Sequence, residues 1–195
     1  SAGHTSASFE IIQEAFKYGL KQVTHLFNAM TPLHHRDPGT TGAALINNDL
    51  YVEVIADEIH IHPAVIELIL RAKPSSKVIF ISDSLPLTQS DKNSIIFGGH
   101  EIFNKNNKAV NEDGTLAGSL TFLDSVIRNF IEHNKYSFSQ LLRYTSLNPA
   151  QNLGFSNLGY IAKNNKADIV IWTPDTNCQV IMTIVNGQIA YKANF

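Results

Sequence analysis

Residues 51–83, YVEVIADEIHIHPAVIELILRAKPSSKVIFISD, carry the clearest indication of the fold class. Its two short apolar runs, YVEVIAD and KVIFISD, are rich in β-branched residues and predict buried strands. Between them lies PAVIELILRA, which predicts a helix because Pro63 suits the first helical position. A strand, a helix and a strand in this order indicate a parallel sheet with crossover connections, which is an α/β fold.

The same alternation of helix and strand extends upstream. Residues 6–18 carry apolar side chains at helical spacing and predict an amphipathic helix, which ends at Gly19. The run QVTHLF, residues 22–27, predicts a strand, and residues 41–48 predict another helix. We therefore expect three parallel strands with helices between them.

Each of these three strands ends in a polar residue, namely His25, Asp57 or Asp83. Parallel α/β sheets and barrels bind their ligands at the carboxyl ends of the strands. His4 would join the same rim if a strand precedes it. Imidazole is a common ligand of zinc and iron, so this rim is the candidate site for a metal.

Downstream of residue 83, the regular alternation of strand and helix patterns stops. Glycine and asparagine residues separate short β-type runs between residues 84 and 118, and this pattern predicts a β-hairpin insertion at about 93–112. Apolar residues from Leu120 to Ile131 predict a helix, and Ser137 with Gln140 forms a capping-box pattern for another. The remaining sequence predicts strands, with a hairpin turn at Asn186-Gly187.

Composition limits the classes of partner. The 195 residues are 44% hydrophobic and 16% charged, and the formal net charge is −2. This balance predicts no binding of nucleic acid or of an anionic membrane. The single cysteine, Cys178, excludes an internal disulfide and fits a reducing compartment. The apolar runs are shorter than a membrane helix and no secretory signal opens the sequence, so we expect a cytoplasmic protein.

Every candidate residue also has a structural alternative. A histidine at a strand end is commonly a hydrogen-bonded structural residue, and Asp57 or Asp83 could cap a turn. His62, in HIH at 60–62, could be a metal ligand or could start the helix at Pro63.

Four further histidines lie in polar segments. His34, His35 and Arg36 form a cationic loop that would either clamp a phosphate or remain a solvated loop. His100 and His133 are predicted to be surface residues.

Several motifs together resemble the N-acetylglucosamine-6-phosphate deacetylases of the amidohydrolase superfamily. The matching segments occur in the order of that family: SAGHTSAS, THLFNAM, HHRDPG, IADEIHIHP, FISDS, GTLAGS and, near the end, LGYIAKNNKADIVIW and TIVNGQIAY. The resemblance implies that the chain is the second half of a (β/α)8 TIM-type barrel, strands 5–8, followed by C-terminal strands of a small β-sandwich. The barrel part would cover residues 1–155 and the sandwich strands residues 156–195.

The resemblance also assigns roles to residues. His4 and His25 match metal ligands, with zinc as the first expectation and iron, cobalt or manganese as alternatives. Asp83 matches the catalytic general base and acid. The positions that match substrate contacts are Asn28, Ala29, Arg36, His60 and Leu116.

The implied reaction is the metal-dependent hydrolysis of N-acetylglucosamine 6-phosphate to glucosamine 6-phosphate and acetate. The implied partners are this small-molecule amino sugar phosphate and, in the intact protein, a second copy as a homodimer. Strands one to four and the glutamate that completes the metal site would precede Ser1, so we expect the chain to be inactive alone. A non-catalytic module of the same fold and an amidohydrolase acting on a cyclic amide are the alternatives.

Overall fold

The computed structural model describes residues 1–132, 136–173 and 177–194, which group into two compact units, Ser1–Leu123 and Asp124–Phe195. The predicted position of His133 lies outside the described residues. The predicted domain boundary at residue 155 concerns the intact barrel and stays a prediction.

The first unit contains a parallel three-stranded sheet in the order β1-β2-β3. Its elements, in chain order, are α1 (Phe9–Lys17), β1 (Gln22–Val23), α2 (Gly39–Ile46), β2 (Tyr51–Ile55), α3 (Pro63–Ala72) and β3 (Val78–Ile81). Ala2 also bridges Val23 in parallel, so the first residues lie beside β1 on the side away from β2. The predicted alternation of strands and helices is confirmed, although each strand is shorter than its apolar run.

Local signals explain where the helices begin. The Ser8 hydroxyl accepts a hydrogen bond from the Ile11 N–H at 3.4 Å and caps α1. His62 is the N-cap of α3, where its ring nitrogen Nδ1 accepts from the Ala64 N–H at 3.2 Å and Pro63 occupies the first turn. The helix-start alternative for His62 is therefore the one that the structure shows.

The core of this unit centres on β2, the middle strand. Val52 and Val54 have no solvent exposure, and Ile12 of α1 and Ala43 of α2 pack together with Leu50, which precedes β2. A charged residue is also buried here, because Lys73, at the end of α3, is only 3% exposed.

Lys73 is buried among oxygen atoms. Its ammonium group donates hydrogen bonds to the main-chain carbonyls of Ala44, Asn47 and Leu50. Burial lowers its pKa to about 8. The side chain therefore joins the end of α2 to the start of β2.

The predicted hairpin insertion is a larger structure than expected. Four antiparallel strands, in the order β4-β5-β6-β7, follow β3 and form a separate small sheet. They are β4 (Ser94–Phe97), β5 (His100–Lys105), β6 (Lys108–Val110) and β7 (Leu116–Gly118). This small sheet has its own core of Leu85, Leu87, Ile102 and Ala109, and a bridge between Ser84 and Ser119 closes its base.

The second unit begins with helices and ends with strands. The helices are α4 (Leu123–Glu132), α5 (Phe138–Leu142), a π-helical turn (Arg143–Leu147) and α6 (Asn148–Asn152). Ser137 and Gln140 form the predicted capping box. The strands β8 (Ile169–Trp172), β9 (Val180–Val185) and β10 (Gln188–Lys192) form an antiparallel sheet, with the predicted turn at Asn186-Gly187 between β9 and β10.

No helix among the described residues is both long enough and apolar enough to cross a membrane.

Candidate active site

His4 and His25 lie next to each other at the end of the parallel sheet. The Ala2 N–H donates to the Gln22 carbonyl at 3.0 Å, and the Thr24 N–H donates to the Ala2 carbonyl at 2.8 Å, so the two chain segments leave the sheet side by side. The imidazole rings of His4 and His25 meet edge to face, with 4.8 Å between their centroids. Two histidines that are 21 residues apart in sequence therefore share one small volume.

One ring nitrogen of this pair lacks a partner. His25 is 7% exposed, and no atom of the described residues accepts from or donates to its buried Nδ1. Buried polar atoms are normally hydrogen-bonded, so an orphaned imidazole nitrogen indicates a missing ligand or water. An imidazole nitrogen beside a second imidazole fits a divalent metal ion. The described residues contain no group of three histidine, cysteine, aspartate or glutamate side chains that could enclose an ion by itself.

The backbone at the strand ends is strained. His4, His25 and Asp83 have φ angles of 46°, 32° and 50°, in the left-handed region that non-glycine residues rarely adopt. Each such residue costs about 1–3 kcal/mol and persists only where the surrounding structure enforces it. Strain of this kind concentrates at functional sites, and here it coincides with three residues that the sequence singled out.

Asp83 follows β3 and is solvent-exposed. Its main-chain carbonyl accepts a hydrogen bond from the Ser119 N–H at 2.9 Å, which attaches the Asp83 turn to the end of the four-stranded insertion. Gly118 makes this approach possible, because a Cβ atom there would lie 2.9 Å from Leu85 Cγ and 3.2 Å from the Asp83 carbonyl oxygen. The position of Asp83 thus depends on a contact made 36 residues later in the chain.

Glu53, on β2, contributes a carboxylate to the same region. Burial raises the pKa of the Glu53 carboxyl above its ordinary value, and the negative charge of Asp83 adds to this rise. The His25 ring and hydrogen bonds from Thr24 and Gln22 act in the opposite direction. His25, Glu53 and Asp83 are therefore close enough for their charges to interact. The sequence did not single out Glu53, because it lies within a strand rather than at its end.

His60 is held by Asp57, which is 6% exposed. Asp57 Oδ1 accepts from the Ile59 and His60 N–H groups at 3.0 and 2.9 Å, which is the turn-capping role left open by the sequence. Asp57 Oδ2 lies 2.8 Å from His60 Nδ1 and accepts from the Ser119 hydroxyl at 3.1 Å. Burial alone would raise the pKa of Asp57, but the hydrogen bonds from His60 and Ile59 outweigh it and lower that pKa.

The residues that match phosphate contacts lie on two loops. Asn28 uses its side-chain nitrogen to bond the carbonyls of His25 and Leu26 at 3.2 and 3.3 Å, so it shapes the turn that follows β1. Ala29 is exposed and has a φ of 49°. Arg36 lies in an exposed loop, with its Nη1 atom 2.7 Å from the His35 ring.

These contacts join four of the candidate residues, His4, His25, His60 and Asp83, through ring contacts, hydrogen bonds and charge. Arg36 and Leu116 lie outside this network. Leu116 starts β7 and is 37% exposed. His100 is exposed, as predicted.

Several known proteins are similar to this chain in sequence and in fold. A deacetylase of N-acetylglucosamine 6-phosphate from Bacillus subtilis is 40% identical over 192 residues, which cover 98% of this chain and 48% of that protein. A deacetylase of N-acetylgalactosamine 6-phosphate from Escherichia coli O157:H7 is 30% identical over 189 residues. The crystal structure of the N-acetylglucosamine-6-phosphate deacetylase from Thermotoga maritima superimposes with a TM-score of 0.92, at 33% identity, over 99% of this chain and 53% of its own.

The chain thus spans about half the length of the curated relatives that it matches. The sequence model of the amidohydrolase family matches residues 1–190, which is nearly the whole chain. Fold, sequence and the paired histidines at the sheet end agree, and the chain belongs to the amidohydrolase family.

Proposed function

We propose that the protein containing this chain hydrolyses the acetamide bond of N-acetylglucosamine 6-phosphate with the help of a divalent metal, and that this chain forms strands 5–8 of its barrel. The observation that carries the proposal is the contact between His4 and His25, with the buried Nδ1 of His25 left unpartnered among the described residues. Relatives with this activity match nearly the full length of the chain.

The two histidines would hold the metal. Neutral imidazole suits zinc, with iron, cobalt and manganese as alternatives. A catalytic zinc commonly has about three protein ligands, so one further ligand is needed besides these two. When bound, a divalent ion lowers the pKa of a water molecule toward about 7 and polarises a carbonyl group.

Asp83 would move the proton. It accepts a proton from the water molecule as the water oxygen attacks the acetyl carbon, and it then donates that proton to the nitrogen of the departing amino sugar. One carboxylate can serve both steps because the amine leaves only when it is protonated. Its exposure and its fixed, strained backbone suit a group that must meet both water and substrate.

The remaining residues would bind the sugar phosphate. Arg36 supplies local positive charge in a chain whose net charge is −2, and its guanidinium group lies beside the His35 ring. Asn28 and Ala29 lie in the turn that follows His25, while His60 and a contact near Leu116 face the substrate. Binding energy from the phosphate, remote from the acetyl group, orients the reacting bond. We also propose that the protein forms a homodimer and is located in the cytoplasm.

A non-catalytic module of the same fold is the second candidate. It is favoured by the lack of a third metal-ligating side chain beside the histidine pair in the described parts of the chain. An amidohydrolase acting on an unphosphorylated cyclic amide fits less well, because such a substrate has no phosphate group for the Arg36 loop to bind.

The test combines metal analysis with an assay of acetate release by the full-length protein. The variant Asp83→Asn is expected to keep the metal and to lose about 100- to 10,000-fold in turnover. His25→Ala is expected to lose both metal and activity. Asp91→Asn removes an exposed carboxylate from the four-stranded insertion and serves as the matched control.

Normal turnover in Asp83→Asn would contradict the assigned role. Full-length protein that holds no metal and releases no acetate would favour the binding module. Equal rates with phosphorylated and unphosphorylated substrate would contradict the role of the loop at 34–36.

A further inference from the structure

We infer that Asp57 is a positioning residue that keeps the proton of neutral His60 on Nδ1, so that Nε2 is the ring nitrogen that meets the substrate. This inference rests on the proposed function for its catalytic consequence, whereas the arrangement of Asp57, His60 and Ser119 can be tested without any assay of activity.

Hydrogen-bond donors surround the Asp57 carboxylate. Its Oδ1 atom accepts two main-chain N–H groups, and its Oδ2 atom faces the Ser119 hydroxyl and the ring of His60. An ionised carboxylate can only accept hydrogen bonds. The side chains of Asp57 and His60 are 1% and 5% exposed, so water does not compete for these bonds.

The Asp57 carboxylate decides which nitrogen of the His60 imidazole carries the proton. Because Asp57 Oδ2 is an acceptor 2.8 Å from His60 Nδ1, that nitrogen must donate and so must carry a hydrogen. In a neutral ring the other nitrogen, Nε2, then has a free lone pair. The hydrogen bonds that lower the pKa of Asp57 keep the carboxylate ionised and maintain this arrangement at neutral pH.

Ser119 connects Asp57 and His60 to Asp83, the proposed general base. Ser119 is 1% exposed and uses its hydroxyl to donate to Asp57, while the same oxygen accepts from the Thr121 N–H at 2.9 Å. Its main-chain N–H donates to the Asp83 carbonyl, and its carbonyl accepts from the Leu85 N–H at 3.0 Å. One buried serine therefore fixes both the turn of Asp83 and the carboxylate that orients His60.

The test reads the tautomer directly. Nitrogen NMR of full-length protein labelled with 15N-histidine, at a pH where imidazoles are neutral, distinguishes a protonated from an unprotonated ring nitrogen. The His60 signals are assigned by their absence in His60→Gln. We expect a protonated Nδ1 and an unprotonated Nε2 in the wild type, and the opposite tautomer would overturn the inference.

The variants separate orientation from stability. In Asp57→Asn, the one amide oxygen is needed by the Ile59 and His60 N–H groups, so the amide nitrogen faces His60 and should move the ring proton to Nε2. Ser119→Ala removes a bond from the same carboxylate but leaves the acceptor for His60 in place, so the tautomer should stay unchanged. A change of tautomer in Ser119→Ala, or none in a folded Asp57→Asn, would contradict the inference.

Turnover supplies the functional readout. Asp57→Asn is expected to lower kcat by about 10- to 100-fold, with a smaller change in KM, because the group that orients the substrate carries the wrong hydrogen. If Asp57→Asn does not fold, the wild-type tautomer alone decides. If the wild type releases no acetate, the proposed function fails while the tautomer result still stands. Unchanged kcat in an active, folded Asp57→Asn refutes the positioning role and leaves the proposed function intact.

Discussion

Replacing Lys73 by methionine should destabilise the first unit by about 3 kcal/mol. The ammonium group donates to three main-chain carbonyls, and methionine keeps most of the aliphatic stem while removing every donor. Each buried acceptor that loses its partner costs about 1–3 kcal/mol. We take the lower value for each carbonyl, because removal of a buried charge offsets part of the loss. Three carbonyls at about 1 kcal/mol give the expected total.

The assay is urea denaturation at pH 7, followed by far-ultraviolet circular dichroism. Because the pKa of Lys73 is about 8, most molecules carry a protonated Lys73 at this pH, and the wild type makes all three hydrogen bonds. Tryptophan fluorescence is unsuitable, because Trp172 belongs to the second unit.

The control is a lysine on the surface, Lys92. Lys92→Met makes the same chemical change at an exposed site, where we expect an effect within about 0.5 kcal/mol. If Lys73→Met changes the midpoint no more than Lys92→Met does, with the denaturant slope unchanged, the three bonds do not stabilise the fold and the reasoning is wrong.

Two other predictions concern the candidate site. Because the pKa of Glu53 is raised in the folded protein, the wild type should lose stability relative to Glu53→Gln as the pH rises from about 4.5. Denaturation of both proteins at pH 4.5 and pH 7.5 measures this change in relative stability. A difference in unfolding free energy that is the same at both pH values would argue against the raised pKa. Gly118→Ala should lower the free energy of unfolding by at least about 1 kcal/mol more than Gly98→Ala in the same denaturation experiment. Both glycines have positive φ angles, but only Gly118 faces Leu85 and the Asp83 carbonyl. Equal losses would show that the neighbours of Gly118 move aside.

The order of strands and helices in the first unit could be predicted from local patterns. The runs around Val52 and Phe80 are too apolar and too short for anything but buried strands, and Pro63 marks the start of the helix between them. The strand at QVTHLF ends sooner than its composition suggests, because His25 and Phe27 adopt positive φ angles that break the ladder.

Contacts between distant residues could not be predicted. The bond between Asp57 and Ser119 joins positions 62 residues apart, and no spacing rule connects them. The insertion was expected to be a hairpin because glycine and asparagine mark its turns. The structure adds the strand β7 and a bridge from Ser119 back to Ser84, and no local signal encodes that bridge. The resemblance to a known family supplied the candidate residues, whereas their hydrogen bonds needed coordinates.

The closed base of the four-stranded insertion has an evolutionary consequence. Its entrance and exit are adjacent, at Ser84 and Ser119, and its interior residues pack among themselves. The part of the insertion beyond this base can therefore change in length during evolution, provided that the hydrogen bonds of Ser119 and the close packing at Gly118, which hold the Asp83 turn, are kept. Its distal turn at Gly98-Gly99, where an added side chain would meet no other atom within 4 Å, is thus a suitable point for attaching a fluorophore or a reporter domain.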